Sequence, residues 1–335
     1  MTDVMVSLRD DMERFLAEFR GRKVLLIPNE GNGGDCLILA STLAAMSKAS
    51  IDVQVVDDQT DFKNQTVFLG GGGNLVGIYG GMRRSIKACR HEAARIVLLP
   101  HTIRANEKLI KRLDGRTTIW CRDKRSFEHV SRTNPKIDCR LTHDMAFHCD
   151  VEDFLSDPEC NALGSPLLEA SLRGAGVSLE QLSRLPLVRF MRTDKESATS
   201  KMESDLDVSK VFTGVADVET SRLRAWCFLK TISVARQVTT DRLHVAIACA
   251  LLGKECELVD NSYSKNREIY AFSLERFPSI SFWRTAGPKI ADRPSGKKPL
   301  LARLVKHGRR LARYRALADV VRHPQLQPSG LGSTD

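Results

Sequence analysis

Apolar residues recur along this chain in two alternating rhythms. Leu8, Met12, Phe15, Leu16 and Phe19 fall at three- and four-residue spacing, which predicts an amphipathic helix over about residues 5–20. A continuous apolar run, residues 23–28 (KVLLIP), follows and passes through a Gly-rich loop at 29–35 into a helical stretch at 36–46. The strand-loop-helix theme then recurs. Further runs start at Ile51 (IDVQVV), Thr66 (TVFLGGGGN), Arg95 (RIVLLP), Thr117 (TTIWCRD) and Cys139 (CRLTHD), each ending in polar or Gly residues. Between 150 and 185 the pattern lapses into mixed Pro, Gly, Ser and acidic residues. A second series begins with LVRFMRTD from Leu187. It continues through a helix around 221–235, RQVTTDRLH from Arg236, an apolar helix at 245–252 and ECELVD from Glu255.

Strands alternating with helices imply parallel pairing, and ligands of open parallel sheets bind beyond the carboxyl ends of the strands. The expected fold class is α/β: a Rossmann-like domain over 1–160, a linker or crossover over 161–185, a second Rossmann-like domain over 186–283 and a basic helical extension over 284–335. A length of 335 residues fits two domains.

Composition narrows the class. With 42% apolar and 27% charged residues the chain can fill ordinary cores, which argues against general disorder. The longest apolar run, 245–252, falls far short of the ~20 residues that cross a bilayer. The first 20 residues carry acids and no cleavable apolar core, so the expected compartment is the cytoplasm. Nine scattered cysteines with no CxxC pair suit that compartment and argue against a disulfide framework or structural zinc. The net charge of +10 is uneven: residues 284–335 hold 12 Lys and Arg against 3 Asp, leaving +1 for the first 283. That balanced body, without an RNA-recognition or finger motif, does not suggest a nucleic-acid enzyme.

The candidate chemistry sits in the strand-end loops. Asn32, Gly34 and Asp35 belong to a loop (NEGNGGD) that opens a helix; it reads either as an anion cradle or as a tight turn with Asp35 capping the helix. It matches neither the Walker A loop nor GxGxxG. Gly72, Gly73 and Asn74 belong to a run that ends a buried strand, where backbone must approach a ligand or another segment closely. Arg122 presents a fork suited to carboxylate or phosphate, with an Arg122–Asp123 surface pair as the competing reading. Arg242, Leu243 and His244 place a fixed cation two residues from the side chain whose ordinary pKa allows proton transfer near neutrality. Asn261 and Lys265, with Asp260 and Tyr263, form a polar loop on the same expected edge. His143, Asp144, His148 and Cys149 invite a metal reading, but their spacing does not put two ligands on one helix face, so no metal is expected and Asp144 reads as a strand-end contact.

In order, GNGGD at 31–35, LGGGGNL at 69–75, LLPHTI at 98–103, RDKRS at 122–126, HDMAF at 143–147, TDRLH at 240–244 and DNSYSK at 260–265 resemble the polysaccharide pyruvyl transferase family over roughly residues 22–273. The resemblance implies a two-domain, GT-B-like enzyme that moves a pyruvyl group from phosphoenolpyruvate to a sugar of an exopolysaccharide or its lipid-linked precursor. It implies a ketal product, released phosphate and no cofactor beyond the donor. On that basis Arg122 and Arg242 hold the donor and His244 is the acid or base. One departure is the second glycine, Gly33–Gly34, before the Asp. The alternatives are a GT-B-like glycosyltransferase using a nucleotide sugar and a non-catalytic anion-binding protein. In the extension, Leu300, Leu304, Leu311, Tyr314, Ala318 and Val321 share one helical face and Lys306, Arg309, Arg310 and Arg313 the other, which suits either an anionic membrane surface at the inner face or packing on the body.

Overall fold

The apolar runs pair into two sheets, and every pairing in both is parallel. The computed structural model describes residues 3–77, 79–194, 203–213, 217–261 and 264–283. The basic extension expected over 284–335 lies outside the described residues, as does Tyr263. The first sheet contains β1 (Lys23–Ile27), β2 (Asp52–Val55), β3 (Thr66–Leu69), β4 (Gly72–Leu75), β5 (Arg95–Ile103), β6 (Thr117–Cys121) and β7 (Asp138–Leu141). Their order is β2-β1-β3-β5-β6-β7, and β4 resumes the line of β3 along the far half of β5. The second sheet contains β8 (Val188–Phe190), β9 (Gln237–Thr240), β10 (Glu255–Val259) and β11 (Ile280–Trp283), in the order β11-β10-β9-β8.

The first order has a mechanical consequence. After β1 the chain steps outward to β2, then returns to the other side of β1 for β3, so the loops leaving β1 and β3 diverge and open a crevice between them. Those loops are the two Gly-rich segments.

Both faces of a parallel sheet must be covered, which is why its strands are apolar throughout rather than alternating. All five residues of β6 are buried. One face of the first sheet is closed by Met82, Ile86, Leu109, Ile110 and Val130, from helices Gly81–Cys89, Glu107–Ile110 and Lys124–Thr133. The other carries helices Asp3–Ala17 and Gly33–Lys48, whose buried Phe15, Leu16 and Leu37 continue without a break into Trp226, Phe228 and Ile232 of helix Val218–Ser233. The sheets therefore share one core, and residues 1–286 form one compact unit.

The stretch 161–185, expected as a crossover or linker, lies between β7 and β8, is largely helical and packs into this core. Helix Pro158–Gly174 starts with Pro at its first position and with the Asp157 carboxylate accepting from the Cys160 amide at 2.7 Å. Together with helix Leu179–Arg184 it buries Leu168, Leu172 and Leu182. Strand β4 (GGNL) was hidden inside the Gly-rich run that follows β3, and β11 (ISFW) was not singled out in the sequence pattern.

Two histidines of the supposed metal group are buried apart from one another. His148 is pushed down to about 3 by burial, with the Arg9 guanidinium adding to it. His143, pushed down to about 4 mainly by burial, stacks on Phe272 and shares a 2.7 Å hydrogen bond with Ser273.

Phe228 is fully buried and lies against Gly33, whose added Cβ would come within 3.0 Å of its ring. Phe228→Ala is expected to cost about 3–5 kcal/mol in urea unfolding. Val6→Ala, at a side chain 53% exposed, is expected to change stability by less than about 0.5 kcal/mol. Equal effects would contradict the shared core.

Candidate active site

The carboxyl ends of the two sheets face a common cavity of about 180 Å³. Three helices begin there: Gly33–Lys48 after β1, Leu243–Leu251 after β9 and Lys265–Phe272 after β10. Each N-terminus contributes positive potential, and that of Leu243–Leu251 has no side-chain cap. Arg122, Arg192, Arg242 and Lys265 reach the same wall, with Glu30, Asp35 and Asp194 as the acidic side chains among the lining residues. Such a pocket is built for a small, multiply charged anion.

Arg122 follows β6 and is 1% exposed. Its Nε donates to Thr102 Oγ1 at 2.9 Å and its Nη1 to Asp144 Oδ2 at 2.5 Å. The same Nη1 lies 3.4 Å from His244 Nε2, and His244 Nε2 lies 3.6 Å from Asp144 Oδ2. A guanidinium only donates, so Nε2 of His244 either accepts from Arg122 or, carrying a proton, turns toward Asp144, and the tautomer decides which. Burial pushes the Asp144 carboxyl upward, but Arg122, the imidazole of His244 and the Ala146 amide outweigh it and hold the group below its ordinary value. Asp144 is thus an anion that organises a cation from the first sheet and an imidazole from the second.

The surface-pair reading of Arg122 and Asp123 fails. Asp123 is the N-cap of helix Lys124–Thr133, accepting from the Ser126 amide and hydroxyl, both at 2.8 Å, and pairing with Arg104 at 3.0 Å. The RDxxS pattern therefore divides: its Arg faces the cavity, while its Asp and Ser fix the helix that follows.

Arg242 is anchored differently. Its Nε and Nη2 form a fork with Asp207, at 3.0 and 2.6 Å, and Nη2 also lies 3.0 Å from Asp194. Asp194 in turn takes Arg192 Nε at 2.8 Å. Behind them Asp241 accepts from the Arg192 amide at 2.7 Å; burial pushes its carboxyl up, and one of its oxygens has no hydrogen-bond partner among the described residues.

The loop glycines act by proximity. A Cβ on Gly34 would overlap the imidazole of His244, and one on Gly73 would sit 2.6 Å from Arg122 Nη2. No side chain fits either place while Arg122 and His244 hold these positions. Gly72 has φ +147° and passes beside Asn29. Asn74 lines the cavity, donates to Asn29 and meets His101 at 3.1 Å. Burial, and secondarily Arg122, pushes His101 down to about 3, so this buried ring stays neutral.

Of the residues singled out by sequence, Asn32, Asp35, Gly73, Asn74, Arg122, Arg242, Leu243, His244 and Lys265 line the cavity. Both readings of the first loop hold together. Asn32 is the N-cap, accepting from the Gly34 amide at 2.9 Å, and Asp35 completes the capping box on the Asn32 amide at 2.8 Å. Burial raises the Asp35 carboxyl against the pull of His244 and the Asn32 amide. Gly34, Gly72 and Asp144 stand behind the wall, and Asn261 caps the third helix through the Lys265 amide at 2.8 Å. Sequence reasoning passed over Arg192, Asp194, Asp207 and Ser209. Arg192 and Asp194 had a signal in their position just past β8, whereas Asp207 had none.

Among the described residues no group of three or more His, Cys, Asp or Glu is placed to hold a metal ion, and no helix is long and apolar enough to cross a membrane.

Comparison with known proteins bears on the fold and the family. The fold is similar to the crystal structure of a functionally uncharacterised protein from Klebsiella pneumoniae subsp. pneumoniae, with a TM-score of 0.68 and 24% identity over 85% of this chain and 100% of that one. No curated protein matches the chain. Residues 32–263, which contain every cavity residue named above except Glu30 and Lys265, match the family described as Polysaccharide pyruvyl transferase. The chain belongs to that family.

Proposed function

We propose that this chain transfers the pyruvyl group of phosphoenolpyruvate to two hydroxyls of a sugar in an exopolysaccharide or its lipid-linked precursor, forming a cyclic ketal and releasing phosphate. The observation that carries the reading is the convergence of Arg122, Arg242 and His244, with three helix N-termini, on one small cavity. Phosphoenolpyruvate carries a carboxylate and, on the neighbouring carbon's oxygen, a phosphate, and two guanidinium forks with separate carboxylate anchors supply one partner for each. Each guanidinium is tethered through Nε and one Nη, which fixes the plane of the fork and leaves the other Nη for the ligand. The two sheets act as the halves of a GT-B-like scaffold, each supplying one arginine.

The chemistry then needs proton transfer at two atoms. A proton added to the methylene carbon makes it a methyl and leaves an oxocarbenium-like centre at C2. One sugar hydroxyl attacks C2 and loses its proton, phosphate departs, and a second hydroxyl closes the ketal. The two hydroxyl protons balance the one gained by carbon and the one carried off with phosphate. His244, beside Arg122 and at the first turn of its helix, is positioned to move the proton at C2's attacking oxygen or at the methylene. The donor brings all the energy for the transfer in its enol phosphate, so no cofactor is required.

Calorimetric titration should show phosphoenolpyruvate binding in preference to nucleotide sugars, and His244→Ala should lower kcat by ~10²- to 10⁴-fold while donor affinity changes less than about threefold. Tighter binding of a nucleotide sugar, or intact turnover in His244→Ala, would contradict the proposal. Gly34→Ala should displace the imidazole and reduce phosphate release by at least about tenfold. Gly174→Ala, where an added Cβ meets nothing within 4 Å, is the control and should leave it unchanged.

A further inference from the structure

The near neutrality of the body conceals a strong separation of charge. Residues 80–136 hold fifteen Lys and Arg against five Asp and Glu, a net +10. The first 283 residues together carry only +1, so the rest of that body carries −9. Three of the fifteen are used elsewhere: Arg122 enters the cavity, Arg95 stacks on Phe15 and Phe19 across the sheet, and Arg104 pairs with the buried Asp123. The remaining twelve belong largely to the outer helical layer of the first sheet.

Helix Gly81–Cys89, the turn Glu107–Ile110 and helix Lys124–Thr133 bury Met82, Ile86, Leu109, Ile110 and Val130 against the sheet. Their outward flanks carry Arg84, Lys87, Lys108, Lys111, Lys124 and Arg125, all exposed. Of the five acids in the segment, Asp123 is buried as a cap, Asp114 is paired to Arg116 at 2.8 Å, and Glu92, Glu107 and Glu128 are exposed among the more numerous cations, of which Arg84 pairs with Asp58 at 3.4 Å. Helix Gly81–Cys89 contains Arg83, Arg84 and Lys87 and no acid.

We propose that this outer helical layer docks the protein on an anionic lipid bilayer. A sheet backed by helices lying on their sides presents a broad row of cations, and a plane of lipid phosphates is the partner that meets all of them at once. Tyr79, 38% exposed, lies just before helix Gly81–Cys89 and lines the cavity. It sets the cavity mouth at the edge of the basic layer with an amphipathic ring of the kind that seats at the headgroup level. The helices carry no exposed aromatic among the described residues, so the stacking platform that single-stranded nucleic acid needs is not built here. The proposal rests on residues 80–136 alone and does not depend on the identity of the donor.

The test is flotation of the full chain with phosphatidylglycerol vesicles and with phosphatidylcholine vesicles. Binding should require phosphatidylglycerol, weaken as salt is raised, and fall at least about tenfold in Lys87→Glu/Lys111→Glu/Arg125→Glu. The Lys87→Gln/Lys111→Gln/Arg125→Gln version should fall in the same direction. The melting temperature of each variant, compared with the parent chain, establishes that it is folded. Undiminished vesicle binding by folded variants, equal binding to phosphatidylcholine, or tighter binding to a DNA or RNA duplex than to the anionic vesicles would overturn the proposal.

Discussion

A single buried carboxylate sets the geometry of the cavity. Asp144 has essentially no exposure, yet it meets Arg122 from the first sheet and His244 from the second. An ion pair taken out of water gains little net stability, because desolvation offsets its Coulomb attraction; removing one member leaves an uncompensated buried charge that costs about 3–5 kcal/mol. The pair is therefore a constraint rather than a source of stability. It fixes where the guanidinium and the imidazole stand relative to one another, and the glycines at 34 and 73 exist to leave that space open.

The second sheet repeats the principle with different residues. Asp207 grips Arg242 through both arms of its carboxylate, and Asp194 ties Arg242 to Arg192. Arg122 is held by Asp144 and Arg242 by Asp207, so these two forks have separate carboxylate anchors. With three helix N-termini aimed at the same volume, the site is pre-organised for negative charge before any ligand arrives. Helices Gly33–Lys48 and Val218–Ser233 pack within the core that the two sheets share.

What was legible in the sequence follows from where each signal resides. Apolar runs ending in Gly or polar residues mark parallel strands and their carboxyl ends, so Asn32, Asn74, Arg122, Arg242 and His244 were found by position alone. Asp207 was not, because it lies 35 residues from Arg242 and only folding joins them. Asp144 was seen as a strand-end contact, but its bridging of two sheets has no local signature. Helix Pro158–Gly174 was obscured by Pro166 and by glycines that ordinarily end helices; its burial against Trp226 at Gly164 outweighs that propensity. The charge separation was lost by averaging, since summing over 283 residues cancelled a basic layer against an acidic remainder.

The most direct measurement is a crystal structure of the chain with phosphoenolpyruvate bound. In that structure the carboxylate and the phosphate should each lie within hydrogen-bond distance of Arg122 or Arg242, with the His244 ring against the three-carbon unit. A donor seated outside this cavity, or held in it without contact to either guanidinium, would contradict it.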